Sequence, residues 1–230
     1  MTLGELWPQP GVVALYHLAA SSGTDSSGNG YTLTQGLANI ILGKFGAAHG
    51  ETTFTAAEDS TANNLVTPAS DNFSVSAWIK CNELPYATHS THGLFQLAHD
   101  ATNLGGCDLF YAYYSAGPKY QLQWAWANEN SNMAGSSEDA IPQFPLGVWV
   151  HLVVTCSSAG TMNIYLNGNL YSTGSRVAAG TSGRIFAIGR GWYGSDQNGA
   201  ETFDEVCVWN KVLDAQYIRR LYALGKGLLD

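Results

Sequence analysis

The chain has 230 residues, of which 45% are hydrophobic and only 12% charged, with a formal net charge of −8. Its length suits one all-β domain whose core needs neither disulfides nor metals. Charge is about half the roughly 25% usual in soluble domains, so the surface must be dressed in Ser, Thr, Asn, Gln, Gly and Tyr, as on secreted proteins, lectins, virion proteins and subunits of assemblies. The ten Lys and Arg are scattered and form no basic stripe, so neither nucleic acid nor an anionic membrane surface is expected as a partner. No apolar run of membrane-spanning length and no secretory leader pattern occurs, so no membrane insertion is expected. A virion-surface or extracellular location is favoured, reached by lysis, particle release or maturation.

In chain order, short β-rich runs fall at residues 12–18, 73–81, 94–98, 108–114, 120–127, 149–156, 162–167, 184–188 and 203–209. Turns rich in Gly, Asn, Ser and Asp separate them, which is the mark of a sandwich or barrel. Alternation places Phe73, Val75, Ala77 and Ile79 on one face, and Ser74, Ser76, Trp78 and Lys80 on the other. Met162, Ile164 and Leu166 likewise share a face. Asn167-Gly168 predicts a type I′ hairpin turn, because both central positions need positive φ. Residues 131–139 read as a polar loop between strands. One helix is expected at the end, with Asp214 as N-cap, an apolar stripe of Ile218, Leu221, Tyr222 and Leu224, and Gly225 as its stop. No repeat or long linker divides the chain, so residues 1–230 read as one domain with a core from about 12 to 225. Cys81, Cys107, Cys156 and Cys207 form no CxxC pair, which argues against zinc. Three lie in predicted strands, where Cys acts as a small buried hydrophobe, and free thiols are expected rather than disulfides.

Four segments together resemble the laminin G-like branch of the concanavalin A-like lectin/glucanase superfamily. They are Leu15-Tyr16-His17-Leu18 with the loop Asp25-Ser26-Ser27-Gly28-Asn29-Gly30; the strand 73–80; the segment 147–155 followed by Ile164-Tyr165-Leu166-Asn167-Gly168; and Phe203-Asp204-Glu205-Val206-Cys207-Val208-Trp209-Asn210 before the terminal helix. Residues 43–48 look like the family's glycine-containing lead into its next strand. Order and spacing carry the resemblance, over about residues 12 to 225. It implies an all-β jelly-roll of two antiparallel sheets, one concave and one convex. It also implies a structural calcium ion near the first loop and the late Asp-Glu strand, and a glycan or protein ligand held at the concave face or at rim loops.

Asp25, Asn29 and Asp204 are the candidate calcium ligands, since calcium takes six to eight oxygens from carboxylates, amides and carbonyls. The alternative is that the 25–30 loop is only a turn. For a sugar ligand, aromatic rings would stack on apolar faces and amides would pair with hydroxyls. Tyr111, Tyr113, Tyr114, Tyr120, Trp124, Trp126, Trp192 and Tyr193 are the candidate rings. Tyr120, Leu122, Trp124 and Trp126 share one parity and read as core, which turns Gln121 and Gln123 outward to line a groove. The Gly-rich loop 189–199 offers Trp192, Tyr193, Asp196, Gln197 and Asn198 as the better ligand contacts, with a ligand-free packed loop as the alternative. His89, His92 and His99 could suggest a metal site, but the 88–93 stretch reads as loop and its histidines as solvent-exposed. Asn72-Phe73-Ser74 fits a glycosylation triplet, without a secretion signal to support it.

Catalysis is not expected. A glycosidase needs two carboxylates flanking one bond, and the Glu-x-Asp-x-Glu strand of the β-glucanases is absent. Asp204-Glu205, Glu138-Asp139 and Glu58-Asp59 are adjacent pairs, which a regular strand turns to opposite faces. No nucleophile elbow or P-loop occurs. The expected function is a non-enzymatic, lectin-like glycan-binding adhesion module with a structural calcium. The alternative is a bacteriophage virion protein, a head-decoration or tail-adhesin subunit that contacts other virion subunits.

Overall fold

Period-two alternation sorts the strands into two layers. The computed structural model describes residues 10–18, 23–33, 40–50, 60–63, 72–86, 90–98, 107–114, 119–126, 133–135, 140, 142–175, 185–189 and 201–227. Its strands are β1 (Val12–Tyr16), β2 (Ile40–Leu42), β3 (Ala47–Gly50), β4 (Ser60–Asn63), β5 (Phe73–Cys81), β6 (Thr91–Ala98), β7 (Cys107–Tyr114), β8 (Lys119–Trp126), β9 (Met133–Gly135), β10 (Trp149–Cys156), β11 (Thr161–Leu166), β12 (Asn169–Ser175), β13 (Ile185–Ile188) and β14 (Glu201–Trp209), followed by helix α1 (Ala215–Gly227). One sheet runs β12-β11-β10-β5-β14-β3-β2, with β1 also paired to β14; the other runs β4-β13-β6-β7-β8-β9. The pairings are antiparallel.

The main core lies between the sheets. Phe73, Val75, Ala77 and Ile79 of β5 share it with Phe95, Leu109, Tyr111, Leu122 and Phe186 of the facing sheet. The other face of β5 is buried as well, because α1 packs over that side of the eight-stranded sheet. Leu15, Val153, Tyr165, Cys207 and Trp209 form a second cluster there with Leu213, Ile218 and Leu221. Ser74 Oγ donates to the Lys211 carbonyl at 2.8 Å and accepts from the Leu213 N–H at 3.0 Å. Cys81, Cys156 and Cys207 are buried free thiols, and burial raises the pKa of Cys81 and Cys207.

Asn167 (φ 50°) and Gly168 (φ 79°) make the expected turn between β11 and β12. Asp214 caps α1, its Oδ1 accepting from the Tyr217 N–H at 2.7 Å. The expected stop at Gly225 is corrected: α1 continues to Gly227. Gly225 is bare because it packs on Trp78, where a Cβ would sit 2.5 Å from Cζ2. The expected loop at 131–139 contains β9, paired to Gln123, Trp124 and Ala125 of β8. Three residues are too few to show a period. β6 begins at Thr91, so His92 belongs to a strand.

Strand β14 changes partner along its length. Thr202 and Phe203 pair with β3, whereas Val206 to Trp209 pair with β1 along that same edge. At the junction, the register against β5 slips between Asp204 and Cys207, and Glu205 takes φ 51°. This is a bulge of one extra residue, which re-aims the side chains beside it. The expected regular alternation of Asp204 and Glu205 is therefore corrected.

Candidate functional site

The outward face of the six-stranded sheet carries the expected glutamines. On β8, Leu122 is buried in the core and Tyr120 packs against it, so the intervening Gln121 and Gln123 turn to the other face. Gln123 Nε2 donates to Gln121 Oε1 at 2.8 Å. In register, Gln121 stands beside Ala112, and Gln123 beside position 110. Gln96 on β6 pairs with Ala187 of β13, which lies between the core residues Phe186 and Ile188; both therefore also face outward. Gln121 is part-exposed, whereas Gln123, Gln96, Ala112 and Ala187 are buried, and Asp108 stands in register beside Gln96; side-chain amides both donate and accept hydrogen bonds. Trp192, Tyr193, Asp196, Gln197 and Asn198 lie outside the described residues. So do the side chains of Tyr114, Trp124 and Trp126, together with Glu58-Asp59 and Glu138-Asp139. Tyr111 is core, edge-on to Phe144 at 5.2 Å.

The three candidate calcium ligands bind different parts of the chain. Asp25 Oδ1 accepts from the Leu15 N–H (3.0 Å) and the Ser27 N–H (2.8 Å). Its Oδ2 accepts from the Ser27 hydroxyl (2.8 Å) and the Tyr31 N–H (3.0 Å). Burial acts to raise its pKa, but these hydrogen bonds outweigh it and the net shift is downward. Asn29 turns its NH₂ to the Val13 and Val12 carbonyls, at 2.9 and 3.3 Å. Asp204 instead serves the turn before β3, where its Oδ2 accepts from the Lys44 and Phe45 N–H groups at 2.8 and 2.9 Å. Burial pushes the Asp204 pKa up to about 6, and Glu205 acts in the same direction. Among the described residues no three His, Cys, Asp or Glu come together as a metal group. Both oxygens of Asp25 accept from protein donors, and the loop is tied to β1 directly.

The adjacent acids of β14 therefore act as two staples at the bulge. Asp204 holds the 43–46 turn, and Glu205 holds the end of β1 through His17 Nδ1 at 2.8 Å. That hydrogen bond raises the His17 pKa, against the effect of burial.

The expectation of exposed loop histidines is corrected at His92; His89 and His99 lie outside the described residues. His92 is wholly buried, its Nδ1 2.8 Å from Oε1 of the equally buried Glu201. It pairs in register with the core residue Tyr111, while Glu201 pairs with Cys81 on the opposite sheet. The pair thus bridges the two layers. His151 was also missed, although an isolated histidine in the apolar run 149–156 is itself a sign of burial. His151, Trp78 and Asp204 occupy one row across β10, β5 and β14. The ring centroids of His151 and Tyr222 lie 5.1 and 5.8 Å from that of Trp78, and Lys44 Nζ sits 4.1 Å from the indole centroid. Burial lowers the His151 pKa to about 3, with Lys44 adding to the effect.

Among the described residues no helix is long and apolar enough to cross a membrane. No curated protein matches the chain. Among solved structures, domain 4 of AbnA, a GH43 extracellular arabinanase from Geobacillus stearothermophilus solved in complex with arabinotriose, is similar at TM-score 0.65 and 21% identity, over 92% of this chain and 98% of that one. The receptor-binding domain of botulinum neurotoxin D aligns at TM-score 0.65 and 17% identity, over 93% of this chain and 52% of that one. The binding domain of Paraclostridial Mosquitocidal Protein 1 aligns at TM-score 0.64 and 14% identity, over 92% and 52%. The chain spans about half the length of these two toxin domains. A laminin G-type family model, described as the concanavalin A-like lectin/glucanases superfamily, matches residues 50–219. Two antiparallel sheets packed as a jelly-roll sandwich, with a family match over most of their strands, place the chain in the concanavalin A-like lectin/glucanases superfamily.

Proposed function

We propose that this chain is a non-enzymatic carbohydrate-binding module that holds glycan on the outward face of its six-stranded sheet. The observation that carries the reading is the hydrogen bond between Gln121 and Gln123 on that face, of which Gln121 is part-exposed. Sugar hydroxyls both donate and accept, and side-chain amides do the same. The likeness to an arabinanase domain solved with arabinotriose supports it at the level of fold. The non-catalytic half is supported by the hydrogen bonds of the buried acids: Glu201 holds His92, Asp204 holds two backbone amides, and Glu205 holds His17. In this proposal binding is not routed through calcium, because the side chains of Asp25 and Asn29 tie the loop to β1.

Calorimetric titration with neutral plant and bacterial polysaccharides tests this, with reducing-end release followed in parallel. Saturable binding, weakened by Gln121→Ala and unchanged by a chelator, is the expected result, with no product formed. Product release would overturn the non-catalytic half, and binding abolished by chelation would overturn the calcium-free half. A folded protein that binds no glycan would overturn the reading.

A second reading, a subunit of a larger assembly such as a virion, has its own observation. Leu42 is 83% exposed on β2, the edge of the eight-stranded sheet. An edge strand with an exposed leucine invites pairing with another chain. Sedimentation of the purified chain as a monomer at high concentration would count against self-assembly through that edge.

A further inference from the structure

The turn before β10 and the β11–β12 hairpin enclose a groove of about 300 Å³, at the small end of the ~300–1,000 Å³ clefts that hold small ligands. Val150 and Leu166, both buried, line it. Pro142, Gln143 and Pro145 come from one side, and Asn167, Asn169 and Tyr171 from the other. Both sides are fixed. Phe144 anchors the turn, its N–H donating to the Ala140 carbonyl at 2.8 Å and its ring packed against Tyr111. The positive φ of Asn167 and Gly168 sets the hairpin.

The two asparagines are oriented by their own hydrogen bonds. Asn167 Oδ1 accepts from the His151 N–H at 3.1 Å, so its NH₂ is left to donate. Asn169 Nδ2 donates to the Asn167 carbonyl at 3.3 Å, so its Oδ1 is left to accept. Gln143 is exposed and offers both kinds of group. None of the lining residues is charged. We propose that this groove is a second binding subsite, for a neutral oligosaccharide. A charged ligand finds no counter-charge there, and an apolar protein segment would bury the amides unpaired, at a cost. A sugar suits both halves of the lining: its hydroxyls satisfy an adjacent donor and acceptor, and its C–H faces cover the proline and tyrosine rings. Val148 and Leu170, 50% and 57% exposed, complete its apolar lining.

This inference rests on the carbohydrate reading and adds a subsite separate from the Gln121–Gln123 face. The test is a heteronuclear NMR titration of the ¹⁵N-labelled chain with four uncharged trisaccharides: arabinotriose, cellotriose, maltotriose and mannotriose. At least one sugar is expected to shift the side-chain NH₂ signals of Gln143, Asn167 and Asn169 together with the amides of Leu170 and Tyr171. Gln143→Ala with Asn169→Ala should weaken those shifts about tenfold in affinity and leave any shifts at Gln121 and Gln123 in place; both residues are exposed, so the variant folds. Shifts confined to Gln121 and Gln123 would overturn the groove while the carbohydrate reading stood. Shifts confined to the groove would support it and remove the outward sheet face from the reading. No shift with any of the sugars would overturn both proposals. Groove shifts produced by N-acetyl-leucine amide and by no sugar would overturn the subsite in favour of an apolar docking surface.

Discussion

Asp204 and His151 stand on either side of Trp78 in one row of the eight-stranded sheet, and their proton affinities are pushed in opposite directions by the same cause, burial. Asp204 has a folded pKa of about 6 against 3.8 unfolded. The folded state takes up that proton first, so this group adds stability as pH falls through 6 towards 4. His151 has a folded pKa of about 3 against 6.5 unfolded. There the unfolded chain takes up the proton first, so stability is full above 6.5 and is lost as pH falls. Between pH 6 and 4 the two slopes oppose, each about 1.4 kcal/mol per pH unit at most. Denaturant melts of His151→Phe should uncover the Asp204 term, with stability relative to the parent chain rising by roughly 3 kcal/mol from pH 6 to pH 4. Asp204→Asn should show the reverse over the same range. Parallel pH profiles for parent and variants would contradict the assignment of these two groups. Little of this residue-scale chemistry was legible in the sequence. Asp204-Glu205 reads as an opposed pair only on a regular strand, and a bulge leaves no mark on a period of two. His92 sits between threonines, a glycine and a second histidine in a stretch that has the composition of a loop.

Helix α1 shows how one element reads correctly in pattern and incorrectly in extent. Its cap at Asp214 and its stripe of Ile218 and Leu221 follow from spacing. Gly225 was misjudged because glycine ends helices by default, whereas here it lets the helix approach Trp78. Replacing an ordinary helical glycine by alanine stabilises by up to about 1 kcal/mol. At Gly225 the new Cβ would lie within 2.7 Å of three indole atoms. The indole is enclosed by His151, Phe45, Tyr222 and Lys44 and cannot yield cheaply. Gly225→Ala is therefore expected to destabilise by about 1–3 kcal/mol and to change the near-ultraviolet dichroism of Trp78. Gly227→Ala, with no atom within 4 Å of its added Cβ, should be neutral or mildly stabilising. Equal effects at the two positions would disprove the close packing. The strands divide in the same way. β5 and β10 are long and apolar, and their bounds were legible to the residue. β2, β3, β4 and β9 have three or four residues each, and pairing with neighbouring strands defines them rather than any pattern of their own.

At the scale of the whole molecule, two sheets joined only by apolar packing can slide on one another, since that attraction has no direction. The buried His92–Glu201 contact supplies direction, because it joins β6 of one sheet to β14 of the other at 2.8 Å with no solvent access. Such a pair contributes little net stability, as the desolvation of both groups offsets their attraction; removing one partner is costly, because the other stays buried without this contact. His92→Leu alone is expected to cost about 3–5 kcal/mol, and Glu201→Met alone a similar amount. The double variant should recover most of that loss, since two apolar side chains restore the volume and leave neither polar group facing an apolar one. If the pair sets the register of the two layers, the rescued double variant should melt less cooperatively than the parent chain, with weaker protection of β6 and β14 amides from hydrogen exchange. Additive losses in the double variant would show that the two side chains act independently, and a fully cooperative double variant would show that apolar packing alone holds the sheets in place.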